Sequence, residues 1–474
     1  MEHKIKQNPS LLQKLGLFTA IMVVISAMVG SGIFKKSAPM SAELGAPGIM
    51  IAIWIFAGLM TLIGALTNAE ITGLIPNAGG QYVYFREMYG KFTGYIYGWS
   101  IFAVIQTGSI AAIAYIFTGY LEYFFPAPHF SQQWETWGFS VPIAGVSVLD
   151  CYPLKDIGLK MGTVILIMFL SLVNYFGVVL GGMVNNVFTI LKSLAIAFIV
   201  IFALAAGTGN VSHFSPFINS AFQYPSGTLL GAIILALSGA FWAYDGWNNI
   251  TYLGSEIKQP QRNIPRAMII GVGLVIFIYT VVNLAYVYVL PVDAISRSTL
   301  VAADAMKAVV GNWGGAFVAV AVMISTFGTT NGTILASARV YYAMAKDDLF
   351  FKKLEDVHHK YRTPGVSILV QGFWSSLIVM TGTFDQITDM LIFVSWIFYG
   401  LGAWGVFVLR KKMPDAERPY RVIGYPWLPF LFVLFSTFFV IFSFKENVRN
   451  AVFGLVLVVI GIPLYFWFRR KRTI

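Results

Sequence analysis

Charge is scarce in this chain. Only 11% of its 474 residues are Asp, Glu, Lys or Arg, against about 25% in an ordinary soluble domain. Cysteine is scarcer still. The single Cys151 excludes an internal disulfide framework and any cysteine-cluster metal site. Four of the five histidines, His129, His213, His358 and His359, fall in connecting segments at no metal-ligand spacing, so no metal is assigned. Nucleophile–base pairs and phosphate-cradling glycine loops are also missing, so neither an enzyme nor a cofactor is expected. What abounds is apolar surface: 57% hydrophobic residues, with 40 Phe, 23 Tyr and 12 Trp. That composition excludes disorder, a coiled coil and an ordinary cytosolic enzyme. The net charge of +11 calls for no nucleic-acid partner, because in a membrane protein charge has meaning only loop by loop. The lipid bilayer is the partner that the composition demands.

A hydrocarbon core needs about 20 apolar residues per helix. Twelve such stretches occur, near 17–44, 47–75, 92–125, 157–180, 183–206, 229–255, 268–290, 314–345, 364–382, 386–409, 427–444 and 449–468. They leave a short tail at 1–14, another at 469–474, and no room for a soluble domain. The expected fold is therefore an all-α membrane protein of 12 transmembrane helices. With the N-terminus placed in the cytoplasm, inner segments carry 22 Lys and Arg and outer segments carry six. That asymmetry puts both termini on the cytoplasmic side of a multi-pass cell-membrane protein.

Two spans are interrupted. The first reads Val29-Gly30-Ser31-Gly32-Ile33-Phe34, three poor helix formers in a row. The sixth reads Trp242-Ala243-Tyr244-Asp245-Gly246-Trp247, with a carboxylate and a glycine near mid-depth. Small residues can simply mark close helix packing. Here, however, the breaks fall in the first and sixth of ten spans. Five is odd, so a repeat of spans 1–5 in spans 6–10 is inverted in the membrane. Paired breaks in inverted halves point to a binding site at the midplane. The halves are expected at 15–206 and 207–409, with helices 11 and 12 at 410–468. The freed N–H groups of Gly30, Ser31 and Gly32 suit a carboxylate. Freed carbonyls from about Ile25 to Met28, and those of Trp242, Ala243 and Tyr244, suit a cation. A site that wants both describes the two charged groups of an amino acid.

These residues resemble the L-type amino acid transporter (light-chain-like) family of the amino acid–polyamine–organocation superfamily. The resemblance spans nearly the whole chain. It rests on Gly30-Ser31-Gly32-Ile33-Phe34, on Pro76-Asn77-Ala78-Gly79-Gly80-Gln81-Tyr82-Val83-Tyr84, and on Trp242-Ala243-Tyr244-Asp245-Gly246-Trp247-Asn248. Glu256-Ile257-Lys258-Gln259-Pro260 and Asn263-Ile264-Pro265-Arg266-Ala267 add to it. The family implies a LeuT-type five-plus-five inverted repeat with broken helices 1 and 6. It also implies alternating access, usually by sodium-independent exchange of L-amino acids. Carried over, Gly30, Ser31 and Gly32 would bind the substrate carboxylate, and Ala27, Met28 and Trp242 would offer carbonyls to its amine. Trp242 stands where many relatives have a gating Phe. The string around Asp245 is similar both to the branch exchanging cystine and dibasic amino acids and to bacterial serine/threonine exchangers.

An ionisable group at mid-depth costs about 2.5–3.5 kcal/mol, so each needs a reason. Lys192 lies about ten residues into the fifth span, roughly 15 Å deep, beyond the reach of snorkelling. The resemblance gives its ammonium the place of the sodium ion of sodium-coupled relatives, bound to carbonyls of span 1. Asp245 is open to three readings: a helix cap, a ligand for a cationic side chain, or a proton-titrating group. Glu70 is expected to meet the amphipathic segment that follows span 2. Tyr279 and Asn283 lie one turn apart on span 7, as interhelical glue or, by the resemblance, with Tyr279 beside Lys192. Asn248 and Asn331 are pocket candidates, and Asn174 is structural.

Animal members of the family pair with a glycoprotein through a Cys in the loop after span 3. Here that loop begins Phe124-Phe125-Pro126 without one, and Cys151 lies beside span 4. No disulfide-linked heavy subunit is expected. The expected function is exchange of neutral, and also cationic, L-amino acids. The alternatives are a proton-coupled symporter and an amino acid sensor of the same fold.

Overall fold

The computed structural model describes residues 15–75, 79–143, 146–176, 181–358, 361 and 363–470. The tail at 1–14, residues 471–474, Pro76-Asn77-Ala78, and 177–180 at the expected end of span 4 lie outside them. The chain is overwhelmingly helical. Its first helices are α1 (Leu17–Met28), α2 (Gly32–Lys35), α3 (Ser37–Leu44) and α4 (Pro47–Leu74). Next come α5 (Gln81–Tyr89), α6 (Lys91–Ser100) and α7 (Gln106–Leu121). The short α8 (Gln132–Glu135) and a hairpin of β1 (Phe139–Ile143) and β2 (Val146–Cys151) precede α9 (Ile157–Phe176) and α10 (Gly181–Ala205). Then follow α11 (Leu229–Tyr244), α12 (Pro260–Val289), α13 (Val292–Arg297), α14 (Val301–Val310) and α15 (Asn312–Lys346). The series closes with α16 (Gly365–Thr381), α17 (Phe384–Lys412), α18 (Trp427–Glu446) and α19 (Val448–Arg470).

Among the described residues, ten helical stretches are long and apolar enough to cross a membrane. Two shorter apolar stretches, Thr189–Ala205 and Gly365–Thr381, fall where the fifth and ninth spans are expected. Most boundaries agree with the hydropathy reading within a few residues. The seventh span differs. Its helix starts at Pro260, eight residues before the apolar run at 268, because proline suits the first helical position and the polar turn that follows is helical as well. An antiparallel hairpin, with Phe139 opposite Cys151, occupies the connection between the third and fourth expected spans.

The helices are packed so that the interrupted ones run through the centre. α1 lies against α12 and α10, α11 against α4 and α3, and α7 against α15. Between α6 and α7 the chain makes one π-helical turn, Ile101–Ile105. The Thr107 hydroxyl there donates to the Phe102 carbonyl at 2.6 Å. A π-turn inserts one residue into a helix and is common near functional sites.

At one end, Glu70 is buried on α4 and held by Arg410 through Nε at 2.9 Å and an Nη at 2.8 Å. Arg418 Nε lies 3.3 Å away, and the Val422 N–H donates at 2.8 Å. The partners are therefore the end of α17 and the segment after it, not the amphipathic helix α5 that the sequence suggested. The reason is reach: α5 turns its own Arg86 and Tyr82 to Asp347 at the end of α15. Removing one member of a buried charged cluster strands the others. Glu70→Ala is accordingly expected to lower stability by about 3 kcal/mol, read as a fall in the thermal unfolding midpoint in detergent. Asp347→Asn breaks a half-exposed pair and should cost under about 1 kcal/mol.

Candidate functional site

α1 stops at Met28 and α2 resumes at Gly32. Inside the gap, Val29 N–H still reaches the Ile25 carbonyl at 2.8 Å. The freed carbonyls therefore begin one residue later than the sequence suggested. Beyond that point Gly30, Ser31 and Gly32 donate no backbone–backbone hydrogen bond among the described residues. The Ser31 hydroxyl is buried and also without a partner. Four donors thus converge where the second half of the helix begins.

The carbonyl side of the gap is already occupied by protein. Lys192 of α10 is 1% exposed. Its Nζ donates to Val29 O at 2.6 Å, to Ser26 O at 2.8 Å and to Thr329 Oγ1 at 3.2 Å. A fourth acceptor, Ser26 Oγ, lies at 3.5 Å. Hydrogen bonds to a charged group contribute about 1.5–3 kcal/mol each. Two of them offset the insertion cost of about 2.5–3.5 kcal/mol, so the open gap is what accommodates Lys192 at this depth.

The second break lies directly against the first. α11 ends at Tyr244, and the Asp245 N–H folds back to Trp242 O at 3.2 Å. The chain then turns through Gly246, whose φ of +92° favours glycine, into a 3₁₀ turn at Asn249–Glu256. A Cβ on Gly32 would sit 2.4 Å from Ala243 Cα, and one on Gly246 would sit 2.8 Å from Ala27 O. The two gaps touch backbone to backbone. Tyr279 of α12 fastens them: its hydroxyl lies 2.7 Å from Met28 O and 3.0 Å from Ala243 O. Asn283, one turn on, accepts from the Ser37 hydroxyl at 2.7 Å.

Both gaps open onto one cavity of about 310 Å³, counting its mouth. Ala27, Met28, Gly30, Ser31, Gly32, Trp242 and Asp245 line it. Asp245 accepts a 2.5 Å hydrogen bond from Tyr399 on α17. Trp242 stands edge-on to Phe384 at 6.2 Å, its Nε1–H buried without a partner.

Other candidates are placed elsewhere. Tyr244 turns its ring to Trp54 and Tyr279. Ala243 meets Gly32 through backbone rather than lining the cavity. Asn248 donates to Gln81 at 2.9 Å, and Asn331 accepts from Asn174 at 2.7 Å. Lys192 and Tyr279 lie behind the backbone they hold. The sequence reading missed Ser109 and Ile113 of α7, Asn249, and Thr333 of α15, all of which face the cavity. The signal was present in Gln106-Thr107-Gly108-Ser109, a polar run inside an apolar span. Lys36 was also underread. It is 2% exposed, paired with Asp385 at 2.6 Å and bonded to Thr388 at 2.8 Å.

Comparison with known proteins gives the chain a family. The family described as amino acid permease matches residues 15–464. The chain belongs to that family. It is 31% identical over 470 residues to the serine/threonine exchanger SteT of Bacillus subtilis (strain 168), covering 98% of this chain and 99% of that one. It is 30% identical to the human b(0,+)-type amino acid transporter 1, over 98% of this chain and 89% of that one. It is also 30% identical to the rabbit large neutral amino acids transporter small subunit 2, over 96% and 80%. As an amino acid permease of the amino acid–polyamine–organocation superfamily, it is a multi-pass membrane protein and not an enzyme.

The contact between the gaps gives a direct test. Gly32→Ala places a methyl group into the Ala243 backbone, an overpacking cost of about 1–3 kcal/mol. Amino acid uptake by this permease variant should fall about tenfold or more. Gly16→Ala, with nothing within 4 Å of the new Cβ, should leave uptake unchanged.

Proposed function

We propose that this permease exchanges small neutral L-amino acids across the cell membrane by alternating access, without sodium. In this reading the chain has twelve transmembrane helices, both termini in the cytoplasm. Residues 15–206 and 207–409 form inverted five-helix repeats, and 410–468 form helices 11 and 12. The observation that carries it is the set of free N–H groups at Gly30, Ser31 and Gly32 opening onto the same cavity as Trp242 and Asp245. The amides take the substrate carboxylate. The Ala27 carbonyl takes the amine, with Trp242 O, which already accepts from the Asp245 N–H, offering its remaining lone pair. Met28 O is less available than the sequence reading held, since Tyr279 already uses it.

Three further features support the reading. Lys192 places its amine on the carbonyls that a bound cation would otherwise use. Ser31, Ser109 and Thr333 are among the residues lining the cavity, a composition that suits a short, polar substrate side chain. Cys151 is buried, its Sγ 3.5 Å from Met380 O, which supports a protein that works without a disulfide-linked subunit. The relative named a serine/threonine exchanger fits the same substrate range.

Proteoliposomes test the reading. Preloaded serine should stimulate uptake of labelled serine several-fold, equally in sodium and in potassium media, and Lys192→Ala should abolish it. Uptake that needs sodium, or that is unchanged in Lys192→Ala, would refute it. Absence of flux with retained binding would instead mark a sensor.

A second reading, proton-coupled symport, is favoured by one observation: Asp245 faces the cavity with a tyrosine hydroxyl as its side-chain partner. Under exchange, a pH gradient imposed on empty vesicles drives no accumulation. Under symport it does, and Asp245→Asn removes the effect. Selective loss of lysine and arginine competition in Asp245→Asn would assign the carboxylate to cationic side chains.

A further inference from the structure

Away from the cavity, the fold gathers a second set of polar side chains that no spacing in the sequence reveals. His129 lies in the segment after α7, Glu135 ends α8, and Asp156 immediately precedes α9. His129 Nδ1 is 3.3 Å from Glu135 Oε1 and 4.0 Å from Asp156 Oδ1. One ligand atom from each residue lies within 4.8 Å of the other two. Tetrahedral ligands at about 2.0–2.1 Å from a zinc ion stand roughly 3.3–3.4 Å apart. The His129–Glu135 separation already meets that spacing, and the Asp156 carboxylate, 4.0 Å from His129 and within 4.8 Å of the Glu135 ligand atom, must draw inward to complete it.

The donor chemistry narrows the ion. One imidazole and two carboxylates suit zinc and its first-row neighbours, whereas calcium and magnesium prefer oxygen alone. The three residues are exposed or half-buried, so water can complete the coordination shell. A third carboxylate lies nearby. Glu122, at the end of α7, has a buried Oε1 without a hydrogen-bond partner. Two carboxylates within 4.0 Å of one imidazole give a field that favours a divalent cation. The segments are held together before any ion arrives: a Cβ on Gly158 would lie 2.6 Å from Pro128 O, so the loop rests directly on the start of α9.

We propose that His129, Glu135 and Asp156 form a binding site for a divalent first-row transition metal such as zinc, stapling the segment after α7 to the start of α9. The site is separate from the amino acid cavity. It acts on the scaffold, because α7 carries Ser109 and Ile113 in the cavity wall.

Isothermal titration of the purified, untagged full-length protein with zinc chloride tests this. One equivalent of zinc should bind, and calcium should not compete. His129→Ala and Glu135→Gln should each weaken binding about tenfold or more. Cobalt should give visible d–d bands in the wild type that vanish in His129→Ala. Zinc should raise the thermal unfolding midpoint of the wild type and not of His129→Ala. Both variants lie on the surface, and their own unfolding transitions without metal report whether they fold. No saturable binding at millimolar zinc, or binding unchanged in His129→Ala, would overturn the proposal. Zinc binding that is lost instead in His213→Ala would place the ion elsewhere and overturn it equally.

Discussion

One ammonium group sets the terms for the centre of this molecule. Breaking a helix in a membrane frees carbonyls that no water can reach, and each unsatisfied group costs several kcal/mol. Lys192 resolves that cost at Ser26 and Val29 at once, and in return the carbonyls stabilise its charge. Neither partner is tolerable alone at this depth. The interruption of α1 and the cation on α10 are thus a single feature distributed over two helices. Thr329 brings α15 into the same arrangement.

The second interruption depends on the first by contact. Gly32 against Ala243 and Gly246 against Ala27 leave no space for side chains between the two gaps, and the Tyr279 hydroxyl lies between their carbonyls. A rearrangement of one gap must therefore be felt by the other, and by Lys192 and Tyr279 behind them. Interfaces packed this closely shift between discrete arrangements rather than deforming smoothly. That property suits a protein whose family moves a substrate from one side of a membrane to the other.

Much of this architecture is legible in the residues because the bilayer imposes a strict rule of length and polarity. Helices such as Pro47–Leu74 and Asn312–Lys346 announce themselves by apolar runs, and the breaks by glycine and charge within them. What the residues do not disclose is rotation about a helix axis near a break. Tyr244 neighbours Asp245 in the chain, yet its ring packs on Trp54 while the carboxylate reaches the cavity. Asn248 and Asn249 divide in the same way, one to Gln81 and the other to the cavity wall. Once helical periodicity fails, adjacent positions can face opposite directions. Partners distant in sequence are equally hidden: Glu70 with Arg410, Lys36 with Asp385, and Asn174 with Asn331 meet only through the packing of whole helices.

The π-helical turn at Ile101–Ile105 fixes the phase of everything that follows it on α7. In a regular α-helix each residue advances the azimuth by about 100°. One surplus residue therefore rotates Gln106, Ser109 and Ile113 by that angle relative to α6. With it, Ser109 faces the cavity and Gln106 reaches Asn249 at 3.0 Å. Without it, the same amino acids would present a different stripe to the binding space, with no change in composition. The polarity of this wall is set by a count of residues as much as by their identity. Insertions and deletions within α6 and α7 thus offer evolution a means of retuning the pocket that substitution alone does not provide.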